Sequence, residues 1–128
     1  METMRIGELA ERAGVTTRTV RYYESLGLLP EPGRRGAHRT YTDDDVKRLR
    51  RIEVLKGLGL SLDEVREVVE AYADESPRAK RKVADMLRRH LAETNSKLAA
   101  LKAFRKELLF RIDLVEAHAD NEERRRRA

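Results

Sequence analysis

A chain of 128 residues with 40% charged residues, 5% aromatic residues and no cysteine has room for one small core and cannot support thiolate chemistry. That excludes disulfide scaffolds, cysteine nucleophiles, iron–sulfur clusters and cysteine-ligated metals. The net charge of +5 points to an anionic partner, but residues 1–70 hold 13 Lys/Arg against 13 Asp/Glu while residues 71–128 hold 15 against 10, with Arg124, Arg125, Arg126 and Arg127 supplying most of the excess.

Chain order gives the expected elements. Ile6, Leu9, Ala10 and Ala13 form one apolar helical stripe, which Gly14 ends. After Val15, Thr16 is placed to cap a second helix reaching about Leu26, where Gly27 suits the left-handed position and Pro30 forbids continuation. Helix, short glycine-containing turn, helix is the helix-turn-helix pattern. At 100° per residue the second helix sorts Thr16, Val20 and Tyr23 to one side and Arg18, Arg21, Tyr22 and Ser25 to the other. The second face is suited to lie on something anionic.

Residues 28–41 read as a two-stranded excursion with a turn at Pro32, Gly33 and Gly36, carrying Arg34, Arg35 and Arg39 with no acid between them. Thr42 with Asp45, and Ser61 with Glu64, mark the starts of a third and a fourth helix. Their expected core faces are Val46, Leu49, Ile52, Leu55 and Leu58, then Leu62, Val65, Val68, Val69 and Tyr72.

Ser76-Pro77 is a cap followed by proline at the first helical position, and no glycine or proline follows. Leu87, Leu91, Thr94, Leu98, Leu101, Arg105, Leu108, Ile112 and Val115 are spaced alternately by four and three, a heptad seam interrupted at Thr94 and Arg105. A helix of ~40 residues spans ~60 Å, more than the N-terminal half can cover. The seam, with Leu87, Leu91, Leu98, Leu101, Leu108 and Ile112 as its dimerisation residues, is therefore expected to meet a second copy in a homodimeric coiled coil.

Arginine on a helix is most often a solvated charge. Here the short turn, the neighbouring tyrosines and a separate arginine-bearing hairpin favour DNA, because guanidinium pairs with phosphate and with guanine edges while hydroxyls reach phosphate oxygens. Two other readings are weaker: a scaffold whose coiled coil is the working part, and an enzyme. For the latter no catalytic residues are assigned, since no nucleophile–base pair, phosphate-cradling loop or metal spacing occurs.

The stretch Arg5-Ile-Gly-Glu-Leu-Ala-Glu-Arg-Ala-Gly-Val-Thr-Thr-Arg-Thr-Val-Arg-Tyr-Tyr-Glu-Ser-Leu-Gly-Leu-Leu, with Arg39-Thr-Tyr-Thr and Leu58-Gly-Leu-Ser-Leu-Asp-Glu-Val, closely resembles the N-terminal domain of MerR-type transcriptional regulators. The resemblance implies an all-α fold with a small two-stranded β wing: a winged helix-turn-helix domain over residues 4–73 and a long dimerisation helix, an antiparallel coiled coil, over residues 76–117. Residues 118–128 are expected to be a charged, disordered tail. By motif position the resemblance implies DNA contacts from Thr17, Arg18, Arg21, Tyr22 and Tyr23 on the recognition helix and from Arg34, Arg35, Arg39 and Tyr41 on the wing.

As partners it implies double-stranded DNA carrying a pseudo-palindromic promoter operator, a second copy of the chain, and RNA polymerase at the promoter. Sensors of this type hold metals through cysteines, so no metal and no cofactor are expected. His38, His90 and His118 are scattered along the chain, and an unknown small-molecule effector or none remains. The start of the chain has no basic segment and no apolar run is long enough to span a bilayer, so a cytoplasmic protein without membrane contact is expected.

Overall fold

A computed structural model of the chain describes residues 2–128. The elements are α1 (Ile6–Ala13), α2 (Thr17–Ser25), β1 (Gly33–Arg35), β2 (His38–Thr40), α3 (Asp43–Gly57), α4 (Leu62–Ala73) and α5 (Pro77–Arg127). They fall into two compact units, one ending at Ala84 and one comprising Asp85–Ala128.

In the first unit the punctuation of the sequence becomes hydrogen bonds. Gly14, at φ +73°, lets its own N–H return to Glu11 and the Val15 N–H return to the Ala10 carbonyl at 3.0 Å, closing α1 in a Schellman turn. Gly27 does the same for α2, with Leu28 donating to the Tyr23 carbonyl. The Thr16 hydroxyl accepts from the Thr19 N–H at 3.1 Å and so caps α2. At the start of α3 the Asp45 carboxylate accepts from the Thr42 N–H at 2.9 Å, and at the start of α4 Ser61 and Glu64 bond reciprocally.

α1 packs on α2 and on α3, and α3 packs on α4. Their shared core holds Leu9, Ala10, Val20, Tyr23, Leu28, Leu49, Ile52, Leu55, Val65 and Val68. Each large aliphatic side chain among them contributes about 1.5–3 kcal/mol through burial. Polar ties fix the angles between helices: Arg50 donates to the Arg12 carbonyl at the end of α1, Arg12 bridges Glu8 and Asp43, and Arg66 on α4 donates to the Leu26 carbonyl that closes α2.

Two residues of the expected core faces lie outside. Leu58 is 63% exposed because the helical stripe has rotated away from the core by the last turn of α3. Tyr72 is exposed as well, its ring under the Arg51 guanidinium 4.8 Å away, and Ala71 is buried in its place.

β1 and β2 form an antiparallel hairpin in the register Gly33↔Thr40, Arg34↔Arg39 and Arg35↔His38. Just beyond it Tyr41 and Met4 exchange both backbone hydrogen bonds at 2.8 Å, which ties the foot of the hairpin to the segment preceding α1.

The second unit belongs wholly to α5. This helix runs to Arg127, so the disordered tail expected from residue 118 is helical instead. The reason is local: Asp120, Glu122 and Glu123 stand four residues before Arg124, Arg126 and Arg127, and the arginines oppose the negative end of the helix. Leu91, Leu98, Leu101, Leu108, Ile112 and Val115 are all exposed in the single chain, as are Phe104 and Phe110. No helix among the described residues is long and apolar enough to cross a membrane.

Candidate nucleic-acid interface

α2 presents a polar outer face because its N-terminus is capped by Thr16 while Val20 and Tyr23 hold its inner face in the core. Thr17, Arg18, Arg21 and Tyr22 are consequently exposed, Tyr22 by 51%. The hairpin adds Arg34 and Arg35, both exposed. Arg18, Arg21, Arg34 and Arg35 form no ion pair among the described residues. Four guanidinium groups without an ion-pair partner on two adjoining elements concentrate positive charge on this surface.

An open cavity of about 520 Å³ lies between α2 and the hairpin, lined by Arg5, Arg21, Arg34, His38 and Arg39 among others and by no carboxylate. Arg5 and His38 join the group only in three dimensions. Their signal in the sequence is faint: Arg5 stands at the very start of the helix-turn-helix stretch, and His38 is one of three scattered histidines. A second cavity of about 600 Å³, on the other side of the hairpin, brings Arg5, Arg35 and His38 together with Glu8.

Three residues assigned to this face by motif position behave differently. Tyr23 is 1% exposed; its hydroxyl donates to Glu53 Oε1 at 2.7 Å and accepts from Lys56 Nζ at 2.9 Å, a geometry set by α3. Burial above all pushes its pKa upward, while the Lys56 hydrogen bond opposes the rise. The same bond, more than any other influence, raises the pKa of Lys56. Tyr41 is 2% exposed, donates its hydroxyl to Glu24 Oε1, and has its pKa pushed up to about 12 by burial and by the adjoining carboxylate. Arg39 is exposed but paired, its Nη1 donating to Glu24 Oε2 at 3.0 Å. These two hydroxyls and one guanidinium are engaged inside the chain, because a phenol brought into the core needs a partner.

Comparison with known proteins identifies relatives of the chain. Residues 4–72 match the MerR HTH family regulatory protein family, and residues 46–109 match the family described as MerR, DNA binding. The chain is 40% identical over 106 residues to the HTH-type transcriptional regulator HmrR of Rhizobium leguminosarum bv. viciae, covering 82% of this chain and 81% of that one. The chain belongs to the MerR family.

Solved structures of the family agree. The chain is 26% identical, with a TM-score of 0.65 over 80% of its length and 78% of the other, to HiNmlR, a MerR family regulator lacking the sensor domain, bound to promoter DNA. It is 36% identical, with a TM-score of 0.66 over 83% and 82%, to PbrR691 of Ralstonia metallidurans CH34 in complex with lead(II). This MerR-family protein is thus a DNA-binding transcriptional regulator of the mostly helical, winged helix-turn-helix class, and not an enzyme.

A soft-metal centre does not fit its residues. The sequence has no cysteine to supply a thiolate, and among the described residues no group of three His, Asp or Glu side chains is placed to hold a metal ion.

Proposed function

We propose that this MerR-family regulator acts as a homodimer on a pseudo-palindromic promoter operator, each copy laying α2 in a major groove and its hairpin on the adjacent phosphate backbone. The observation that carries this reading is the set of unpaired arginines Arg18, Arg21, Arg34 and Arg35 on two neighbouring elements, of which Arg21 and Arg34 line a cavity free of acids. Thr17, Arg18, Arg21 and Tyr22 reach the groove or its rim, and Arg34, Arg35 and Arg5 neutralise phosphates. Tyr23, Tyr41 and Arg39 contribute from within by holding those elements in place.

Residues 4–73 form the DNA-binding domain of this reading. The dimer forms along α5 through Leu87, Leu91, Leu98, Leu101, Leu108 and Ile112, which residues 76–117 present as one seam. By family resemblance the bound dimer bends and untwists the promoter so that RNA polymerase can engage both of its elements, a deformation of about 1–10 kcal/mol offset by the phosphate contacts. The effector is a non-thiolate small molecule or none, and the protein works in the cytoplasm.

Selection of duplexes from random-sequence DNA tests the reading. Recovery of a symmetric, two-half-site sequence bound by two chains supports it, and recovery of no preferred sequence overturns it.

A further inference from the structure

Glu24 stands at the C-terminal end of the recognition helix, the one carboxylate there that faces the hairpin. Its side chain is only 11% exposed, yet both of its oxygens are used by the hairpin strand and its foot: Oε2 accepts from Arg39 Nη1 at 3.0 Å and Oε1 accepts from the Tyr41 hydroxyl. Tyr41 is in turn pinned through its backbone to Met4, at the entry to α1. A single side chain therefore connects the recognition helix, the second strand of the wing and the start of the helix-turn-helix.

We infer that Glu24 is a positioning residue that fixes the wing against the recognition helix through Arg39 and Tyr41, and that Arg39 serves this latch rather than a DNA phosphate. The inference rests on the DNA reading above for its consequence, though not for the latch itself.

Three observations support the division of labour. Arg39 already has a carboxylate at bonding distance, whereas Arg21 and Arg34 beside the same cavity have none. A hairpin of three residues per strand is too small to hold its own orientation without outside ties. The Glu24 carboxylate, mostly removed from solvent, would be left without its cation if Arg39 turned outward to a phosphate, a costly exchange. A fixed wing places Arg34 and Arg35 at a set distance from Arg18 and Arg21, which is what reading a groove and its flanking backbone together requires.

The experiment has two arms. In the first, amide hydrogen exchange is followed in the free, full-length protein. Glu24→Ala should speed exchange of the hairpin amides and of Tyr41 by about tenfold or more, the scale expected for losing charge-assisted bonds, while the α1 and α3 amides stay unchanged. Glu24→Gln, which keeps an acceptor for Tyr41, should recover part of the protection. If Glu24→Ala does not fold, Arg39→Met and Tyr41→Phe carry the same comparison.

In the second arm, affinity for a duplex recovered from random-sequence selection is measured across salt concentrations. Arg34→Met should lower the slope of log K against log salt by ~0.9, as expected for one lost phosphate contact, whereas Arg39→Met should weaken binding with an unchanged slope. Glu24→Ala combined with Arg39→Met should bind no worse than the weaker single variant. A slope lowered by Arg39→Met as by Arg34→Met, full additivity of the pair, or unaltered hairpin exchange in Glu24→Ala would each overturn the inference. Failure of the unaltered protein to bind any duplex would strike the DNA reading alone, and the exchange arm would still decide the latch.

Discussion

The Tyr23 hydroxyl lies 2.7 Å from Glu53 Oε1 and 2.9 Å from Lys56 Nζ, so the inner face of the recognition helix is fastened to α3 by a buried phenol between an acid and a base. Removing that hydroxyl leaves Glu53 and Lys56 one helical turn apart and able to pair with each other, which offsets part of the loss. Tyr23→Phe is expected to destabilise the protein by about 1 kcal/mol with an unchanged m-value in urea unfolding. An unchanged midpoint would mean that the two bonds contribute nothing net.

The buried phenols also set the alkaline limit of the fold. Tyr41 keeps its proton up to about 12 in the folded chain, and Tyr23 and Lys56 are likewise shifted upward. Over that range the unfolded chain binds fewer protons than the folded one, so stability falls as pH rises. The contribution of Tyr41 is complete below pH 10 and is lost progressively as pH approaches 12, on the order of 2 kcal/mol in all. Denaturant titrations at successive pH values should show this decline, and Tyr41→Phe should make it shallower. An equally steep decline in the variant would assign the effect to other groups.

What the sequence displayed and what it hid follow from the range of the interactions. Thr16, Thr42–Asp45, Ser61–Glu64 and the glycines closing α1 and α2 act within a few residues, so spacing alone located them. The face of α2 was legible for the same reason, since Arg18, Arg21 and Tyr22 are sorted from Val20 and Tyr23 by helical period. Motif position alone assigns Arg39 and Tyr41 to DNA, and spacing does not disclose their bonds to Glu24, which is 15 and 17 residues away on another element. Arg5 gained significance only when Met4 paired with Tyr41 and brought it beside the hairpin. The helical end of α5 is not legible from the run of arginines alone; it follows from acids spaced four residues before them and from arginine at the negative end of a helix.

On the proposed DNA face the arginines should separate by role. Arg18→Ala and Arg21→Ala are each expected to weaken binding to the selected duplex by ~1–3 kcal/mol while the chain stays folded. Arg51→Ala, which removes the contact over the exposed Tyr72 ring, should leave affinity within about twofold, as for a surface change away from α2 and the hairpin. Mobility-shift titration measures all three. Equal losses in all three variants would point to a diffuse charge effect instead of a surface built on α2.

The seam on α5 should govern assembly. Leu98 and Leu101 are exposed in the single chain, at 48% and 62%, on the face that the heptad spacing selects. In a dimer each copy buries both, so replacing them removes four leucine side chains at about 1.5–3 kcal/mol each and places charge in an apolar seam. Leu98→Glu with Leu101→Glu is expected to give a monomer by sedimentation, with the first unit still folded and operator binding lost. A dimer surviving both substitutions would move the interface to another face of α5.

The four terminal arginines test whether bulk charge or its placement reads DNA. Deleting residues 124–127 takes four of the +5 net charges and the final turn of α5, yet leaves Arg18, Arg21, Arg34 and Arg35 where they are. Binding to unrelated duplex should weaken, most visibly at low salt, because phosphate attraction without base contact depends on the number of cationic side chains that meet phosphates. Preference for the selected operator over unrelated duplex should be kept or increased, since base contacts and wing geometry are untouched. Competition binding at two salt concentrations reads both quantities. If the preference disappeared with the tail, specificity would reside at the end of α5, and the neutral N-terminal half with its sorted arginines would be only a scaffold.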